Sequence, residues 1–161
     1  MKKMALSMVL WLACLQALAN DNIRMVIVGD MMLAETVGQL MRRGGNPLQH
    51  VAHLFKGADI TIGNLETAVG THGQKALKPY TFLAHPRVIP FLTRHFSAVS
   101  LANNHSLDFG VPAFEAMLDA FDRQGLRYFG GGKNIRSAHE PAVFEVKGKR
   151  IAVLGYDIFQ P

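Results

Sequence analysis

Residues 96–110 read F-S-A-V-S-L-A-N-N-H-S-L-D-F-G, and the two halves of this stretch differ in kind. Phe96 to Leu101 mixes β-branched and apolar residues in a short run, as a buried strand of an α/β sheet does. Asn103, Asn104, His105 and Asp108 then crowd polar groups past the strand's carboxyl end, and Gly110, Val111 and Pro112 open a helix. In open α/β sheets that is where sites are built. Asp108 stands shortly before the helix start, where a carboxylate can accept backbone N–H groups, and on that spacing it reads as structural.

Two earlier segments repeat the pattern. Ile23 to Val28 is a compact apolar strand running into Gly29-Asp30, and Asp59 to Ile62 is a strand running into Gly63-Asn64-Leu65-Glu66. Taken singly, each has a plain explanation. A carboxylate after a strand commonly caps a turn, Glu66 could be a loop residue, Asn103 and Asn104 could be turn formers, and His105 could be packed at a sheet edge. An acidic or amide group at three successive strand ends argues instead for one shared site, if the strands lie side by side in a parallel sheet. Oxygen donors from Asp30 and Glu66 with the amide oxygen of Asn104 would suit a divalent cation such as Mn²⁺, Mg²⁺ or Zn²⁺. His105, next to a ligand, would then act as general acid or orient an anionic group.

The intervening segments are helical or turn-like. Met31 to Arg43 has helical character and is broken at Gly44-Gly45-Asn46-Pro47. A second helix is expected over Pro47 to Lys56, with Leu48, Val51, Ala52 and Phe55 as its apolar stripe and His50 and His53 at the surface. Residues 70–79 form a polar excursion. His85 to Arg94 predicts a helix that buries Val88, Ile89, Phe91 and Leu92. The clearest helix is Pro112 to Gln124, with Phe114, Met117, Leu118 and Phe121 on one face and Gly125 as its stop. Leu126 to Phe129 reads as a strand, and Ala142–Val146 with Ile151–Tyr156 as a strand pair about a glycine turn. The order predicts an α/β domain with a largely parallel core sheet. Gly130-Gly131-Gly132-Lys133 lacks phosphate-loop spacing, and Asn134 stands where a Ser or Thr would be needed, so it reads as a turn after a strand.

Lys2 and Lys3, an apolar run from Met4 to Ala19 and the small-x-small end Ala17-Leu18-Ala19 form a secretory signal peptide. Residues 1–19 would be removed, leaving 20–161 as one domain, exported to the periplasm or cell envelope. Membrane association would require an uncleaved signal or lipidation at Cys14. That cysteine is the only one in the chain, so the mature protein can make no disulfide and any metal site must use oxygen and imidazole ligands. The formal charge of +5 falls by two with Lys2 and Lys3. The remaining basic residues are scattered, a mild excess favouring anionic partners, and no basic run interleaved with aromatics suggests nucleic acid.

G-D-M-M-L at Gly29–Leu33, G-N-L-E at Gly63–Glu66 and L-A-N-N-H-S-L-D-F-G at Leu101–Gly110 resemble the CapA (poly-γ-glutamate capsule biosynthesis) family, a branch of the calcineurin-like metallophosphoesterase superfamily. The Tyr128–Asn134 segment and the strand pair after it also look like the family. The resemblance implies part of a four-layer α/β/β/α sandwich with a metal site at the strand ends. By analogy Asp30 matches the first metal aspartate, Asn64 and Glu66 the second cluster, Asn104 the amide ligand and His105 the catalytic histidine. Two positions depart from the superfamily: Met32 stands where a metal histidine is usual, and Ser106 where an acidic residue follows the Asn-His pair. Relatives supply further histidines, including a His-x-His, from a second half. After His105 this chain has only His139, so it is expected to be an N-terminal fragment. The resemblance implies a role in capsule or exopolymer biosynthesis or export, with an anionic polymer or capsule-synthesis subunits as partners. The alternative is a metal-dependent phosphoester hydrolase of the envelope.

Overall fold

The computed structural model describes residues 22–158; the signal peptide expected over residues 1–19 lies outside them. Four strands, β1 (Met25–Asp30), β2 (Ile60–Asn64), β5 (Ala98–Ser100) and β6 (Tyr128–Phe129), form a parallel sheet in the order β1-β2-β5-β6. The expected side-by-side arrangement is therefore present, and Asp30, Asn64 and the segment after Ser100 share the carboxyl edge. The register decides the details at that edge. Val28 pairs with Gly63, yet Asp30 rather than Gly29 pairs with Asn64. Gly29 is the extra residue of a bulge, which sets the aspartate directly beside the asparagine.

One face of the sheet is covered by helices. Val99, Leu65 and Leu101 pack with Val88, Ile89, Leu92, Phe114, Met117, Leu118 and Phe121 in the larger core. Val88 comes from the 3-10 turn Pro86–Val88 and the others from α2 (Ile89–His95) and α3 (Val111–Gln124), while α1 (Glu35–Arg42) adds the partly buried Met41. All four apolar residues expected on α3 are buried, and Gly125 ends that helix in the left-handed conformation, φ 68°. The other face is smaller: Ile60, Ile62, Ala98 and Phe129 pack against Ala142 and Phe144. The latter two belong to the antiparallel pair β7 (Ala142–Val146) and β8 (Lys149–Val153). A short parallel pair, β3 (Ala68–Val69) with β4 (Leu83–Ala84), brackets the 70–82 excursion.

The helix expected over Pro47–Lys56 is not α-helical. Residues 47–51 are turns and only Ala52–Phe55 is helical, as one short 3-10 segment. Val51 and Leu54 are exposed, leaving Leu48 and Phe55 as the residues that reach the core. Two anchors are too few to offset the cost of nucleating an α-helix this short. His50 and His53 are exposed, as expected. The turn reading of the triple-glycine segment also holds. Asn134 is the N-cap of α4 (Ile135–Ala138), its side chain accepting from the Ser137 N–H, and Lys133 pairs with Asp119.

Candidate functional site

The carboxyl edge carries a directed chain of hydrogen bonds. It begins with a donor whose role admits no choice, the backbone N–H of His105, which donates to Asn103 Oδ1 at 3.0 Å. Asn103 Nδ2 must then face outward, and it donates to Asn64 Oδ1 at 2.9 Å and to the Leu65 carbonyl at 3.0 Å. That orients Asn64 in turn: its Nδ2 donates to Asp30 Oδ1 at 2.8 Å and to Glu66 Oε2 at 2.5 Å. Asp30 and Glu66 thus converge on one point, the Asn64 amide nitrogen. Asp30 lies at an exposed edge, whereas the Glu66 side chain is 12% exposed. Burial pushes the Glu66 pKa up, and the nearby Asp30 charge adds to it against the opposing Asn64 hydrogen bond.

His105 sits on the inner side of this cluster, with its ring stacked at a tilt on Phe82, centroids 4.5 Å apart. Its Nε2 lies 3.9 Å from Glu66 Oε1 and its Nδ1 2.7 Å from Asp108 Oδ2. The same Asp108 oxygen accepts the Phe82 N–H at 2.6 Å, while the ammonium of Lys78 lies against Oδ1. Asp108 is completely buried. With a cation on one oxygen and a backbone donor on the other, it is an ionised acceptor, so Nδ1 of His105 carries the hydrogen. Nε2 is then the ring nitrogen left on the Glu66 side, 3.9 Å from Oε1, with no partner among the described residues holding its proton or lone pair to one role.

Asp108 is therefore not the cap of α3 that its spacing suggested. The N-cap position is Gly110, which has no side chain to cap with. The tertiary fold brings Phe82 and Lys78 from the 70–82 excursion over Asp108, and they supply the partners instead. Of the five expected site residues, Asp30, Asn64, Glu66 and His105 are joined in one cluster. Asn104 is fixed beside the cluster through its backbone: its main-chain carbonyl accepts from Lys78 Nζ, and the residue lines a neighbouring cavity of about 530 Å³ together with Lys78, Asn103, Asp108 and the 130–132 glycines. The amide that reaches Asn64 is Asn103. Sequence alone offers two adjacent asparagines with no means of choosing between them. Lys78 carries no motif at all, and its role depends on the excursion folding back.

A divalent cation fits this set in part. Among the described residues no three acidic or histidine side chains gather into a ligand cluster. The carboxylates of Asp30 and Glu66 converge, but the oxygen of Asn64 is turned away and held by Asn103. Two carboxylates alone suit a hard cation that keeps most of its waters, as Mg²⁺ does, better than a zinc centre with four protein ligands.

Comparison with known proteins gives one consistent result. Residues 24–160 match the family described as bacterial capsule synthesis protein PGA_cap. The "Capsule biosynthesis protein CapA" of Bacillus anthracis is 30% identical over 144 residues, covering 85% of this chain and 35% of that protein. The "PGA biosynthesis protein CapA" of Bacillus subtilis is 27% identical over 144 residues, 86% of this chain and 38% of that protein. A "Probable polyglutamine synthesis accessory protein" of Mycobacterium tuberculosis is 33% identical over 99 residues, 60% of this chain and 26% of that protein. The chain spans about a third of the length of these relatives.

Proposed function

The chain belongs to the bacterial capsule synthesis protein PGA_cap family, and from that premise we propose that it serves capsule or exopolymer synthesis or export of the poly-γ-glutamate type. The observation that carries the reading is the extent of the family match, which runs through every element of the described structure. The work is done in the cell envelope, after export directed by residues 1–19. No helix among the described residues is long and apolar enough to cross a membrane. The domain, residues 20–161, acts as a platform that holds an anionic polymer or a subunit of the synthesis assembly. Isothermal titration of the chain with γ-linked polyglutamate tests this. Heat-detected binding that survives Asp30→Ala is the expected result, and the absence of binding to folded protein would remove the reading.

The His105–Asp108 pair favours a second reading, a metal-dependent phosphoester hydrolase. Asp30 and Glu66 would hold the cation, Mg²⁺ or Mn²⁺ in preference to Zn²⁺, and when bound it would supply Lewis-acid polarisation of a phosphoryl oxygen. Asn64 as oriented is a hydrogen-bond donor that draws the two carboxylates together. His105, anchored through Nδ1, offers Nε2 as the position from which a proton reaches a leaving oxygen. Asp108 keeps that ring from turning. Under this reading phosphate is released from a simple aryl phosphate, and both Asp30→Ala and His105→Ala abolish the release.

A further inference from the structure

A second region of the molecule, apart from the strand-end cluster, gathers positive charge without an acidic counterpart. A half-open cleft of about 240 Å³ lies among the last turn of α1, the 3-10 turn Pro86–Val88 and the end of α2. Arg42, Arg87, Arg94, His85, His95 and Asn46 line it, with glycines 44 and 45 leaving the backbone bare on one wall. No carboxylate lines the cleft. Among the described residues none of these three arginines is ion-paired.

Basic residues at helix carboxyl ends have an ordinary explanation in the helix dipole, and it covers Arg42 and Arg94. It does not cover Arg87, which sits in the turn before α2. Nor are the carbonyls at the end of α1 in need of a cation, since Arg43, Gly44 and Gly45 N–H groups already reach them. Convergence from three segments matters more. Guanidinium groups repel one another, and like charges held about one small cleft with no carboxylate among them are stabilised by an anion that satisfies their forked donors. His85 is oriented toward the same task. Its Nδ1 accepts the Arg87 N–H, so Nε2 bears the ring hydrogen and is a donor. The positive field is felt by His95, whose pKa burial and the Arg94 charge hold below the usual histidine range.

We infer that this cleft is an oxyanion-binding site, shaped for a carboxylate or phosphate group held by Arg42, Arg87 and Arg94. Where the ligand is a polyglutamate, the inference rests on the capsule reading above: the cleft then takes one side-group carboxylate of the polymer. The oxyanion site itself does not depend on that reading.

The test is NMR shift mapping on ¹⁵N-labelled chain, titrated separately with inorganic phosphate and with a short γ-linked glutamate oligomer. Both ligands are expected to move the resonances of Gly44, Gly45, His85 and His95. Arg87→Ala with Arg94→Ala should weaken both by about tenfold or more, the loss of charge-assisted hydrogen bonds. Arg87→Lys with Arg94→Lys should recover part of the affinity, and Arg136→Ala, on α4, should change nothing. Both arginines of the pair are exposed, and an unchanged spectrum of the variant outside the cleft certifies its fold. Phosphate binding at these residues without oligomer binding supports the cleft and removes the polymer reading. Oligomer binding that the double substitution leaves intact overturns the cleft and leaves the polymer reading standing. No shift at these residues with either ligand overturns the cleft.

Discussion

Replacing Asp108 by alanine removes a buried charge that three groups depend on. The side chain has no exposed surface, and its partners are the Lys78 ammonium, the Phe82 N–H at 2.6 Å and His105 Nδ1 at 2.7 Å. Breaking one partner of a buried ion pair costs about 3–5 kcal/mol, because the other charge is left uncompensated. Lys78 is 22% exposed, so water recovers part of its share. Against that, the Phe82 amide loses its acceptor, a term of about 1–3 kcal/mol for a buried donor. The two considerations leave an expected loss of about 3–5 kcal/mol, measured as a drop in the urea midpoint at constant slope. Asp108→Asn keeps the shape and one acceptor, but it aims an N–H at either Lys78 or the histidine, and should cost less than alanine. Removing the stranded cation as well, in Asp108→Asn with Lys78→Met, should restore about 1 kcal/mol or more relative to the sum of the single changes. A second readout concerns His105 directly: ¹⁵N shifts of its ring should report hydrogen on Nδ1 in the parent and lose that preference in Asp108→Asn. A loss below about 1 kcal/mol for Asp108→Ala, with the ring tautomer unchanged, would refute the assignment of Asp108 as the anchor of His105.

Three further outcomes are expected. Phe121 has no exposed surface and lies in the larger core, so Phe121→Ala should lower stability by about 3–5 kcal/mol in chemical denaturation. A methyl group on Gly63 would meet Val28 Cγ2 at 2.8 Å and the Met31 side chain at 2.6 Å; Gly63→Ala should therefore cost about 1–3 kcal/mol, and by shifting β1 against β2 it should also disturb the Asp30 and Asn64 resonances. Burial first, and then the charge of Asp122, push the Tyr128 phenol up to about 12. An ultraviolet titration should show that phenol ionising near pH 12. Because the unfolded chain gives up this proton near 10.0, it binds fewer protons than the folded chain above that pH, and stability should fall as pH rises from about 10 to 12. Tyr128→Phe should flatten that decline.

How much was legible beforehand depends on the range of the interactions involved. The apolar run of β5, the stripe Phe114-Met117-Leu118-Phe121 and the Gly125 stop are local patterns set by the period of a strand or helix, and they appear where their residues place them. The helix expected over Pro47–Lys56 had the same kind of stripe, but nothing in the sequence reveals that the core accepts only Leu48 and Phe55. The strand-end carboxylates Asp30 and Glu66 could be read from position alone, since parallel strands deliver their ends to one edge. The choice of Asn103 over Asn104 could not, because adjacent residues point in different directions and only the packed edge decides which amide reaches Asn64.

The sequence by itself therefore determined the parallel α/β architecture, the family and the edge on which polar groups gather, because these follow from periodicity, strand order and motif. The tertiary structure alone decided the rest. The bulge at Gly29 seats Asp30 against Asn64. The 70–82 excursion folds back to give Asp108 its partners and turn it from a supposed helix cap into the anchor of His105. Two helix ends and a turn bring Arg42, Arg87 and Arg94 around one cleft. Each of these depends on residues far apart in the chain meeting at short range, and charge and hydrogen-bond direction act only once they have met.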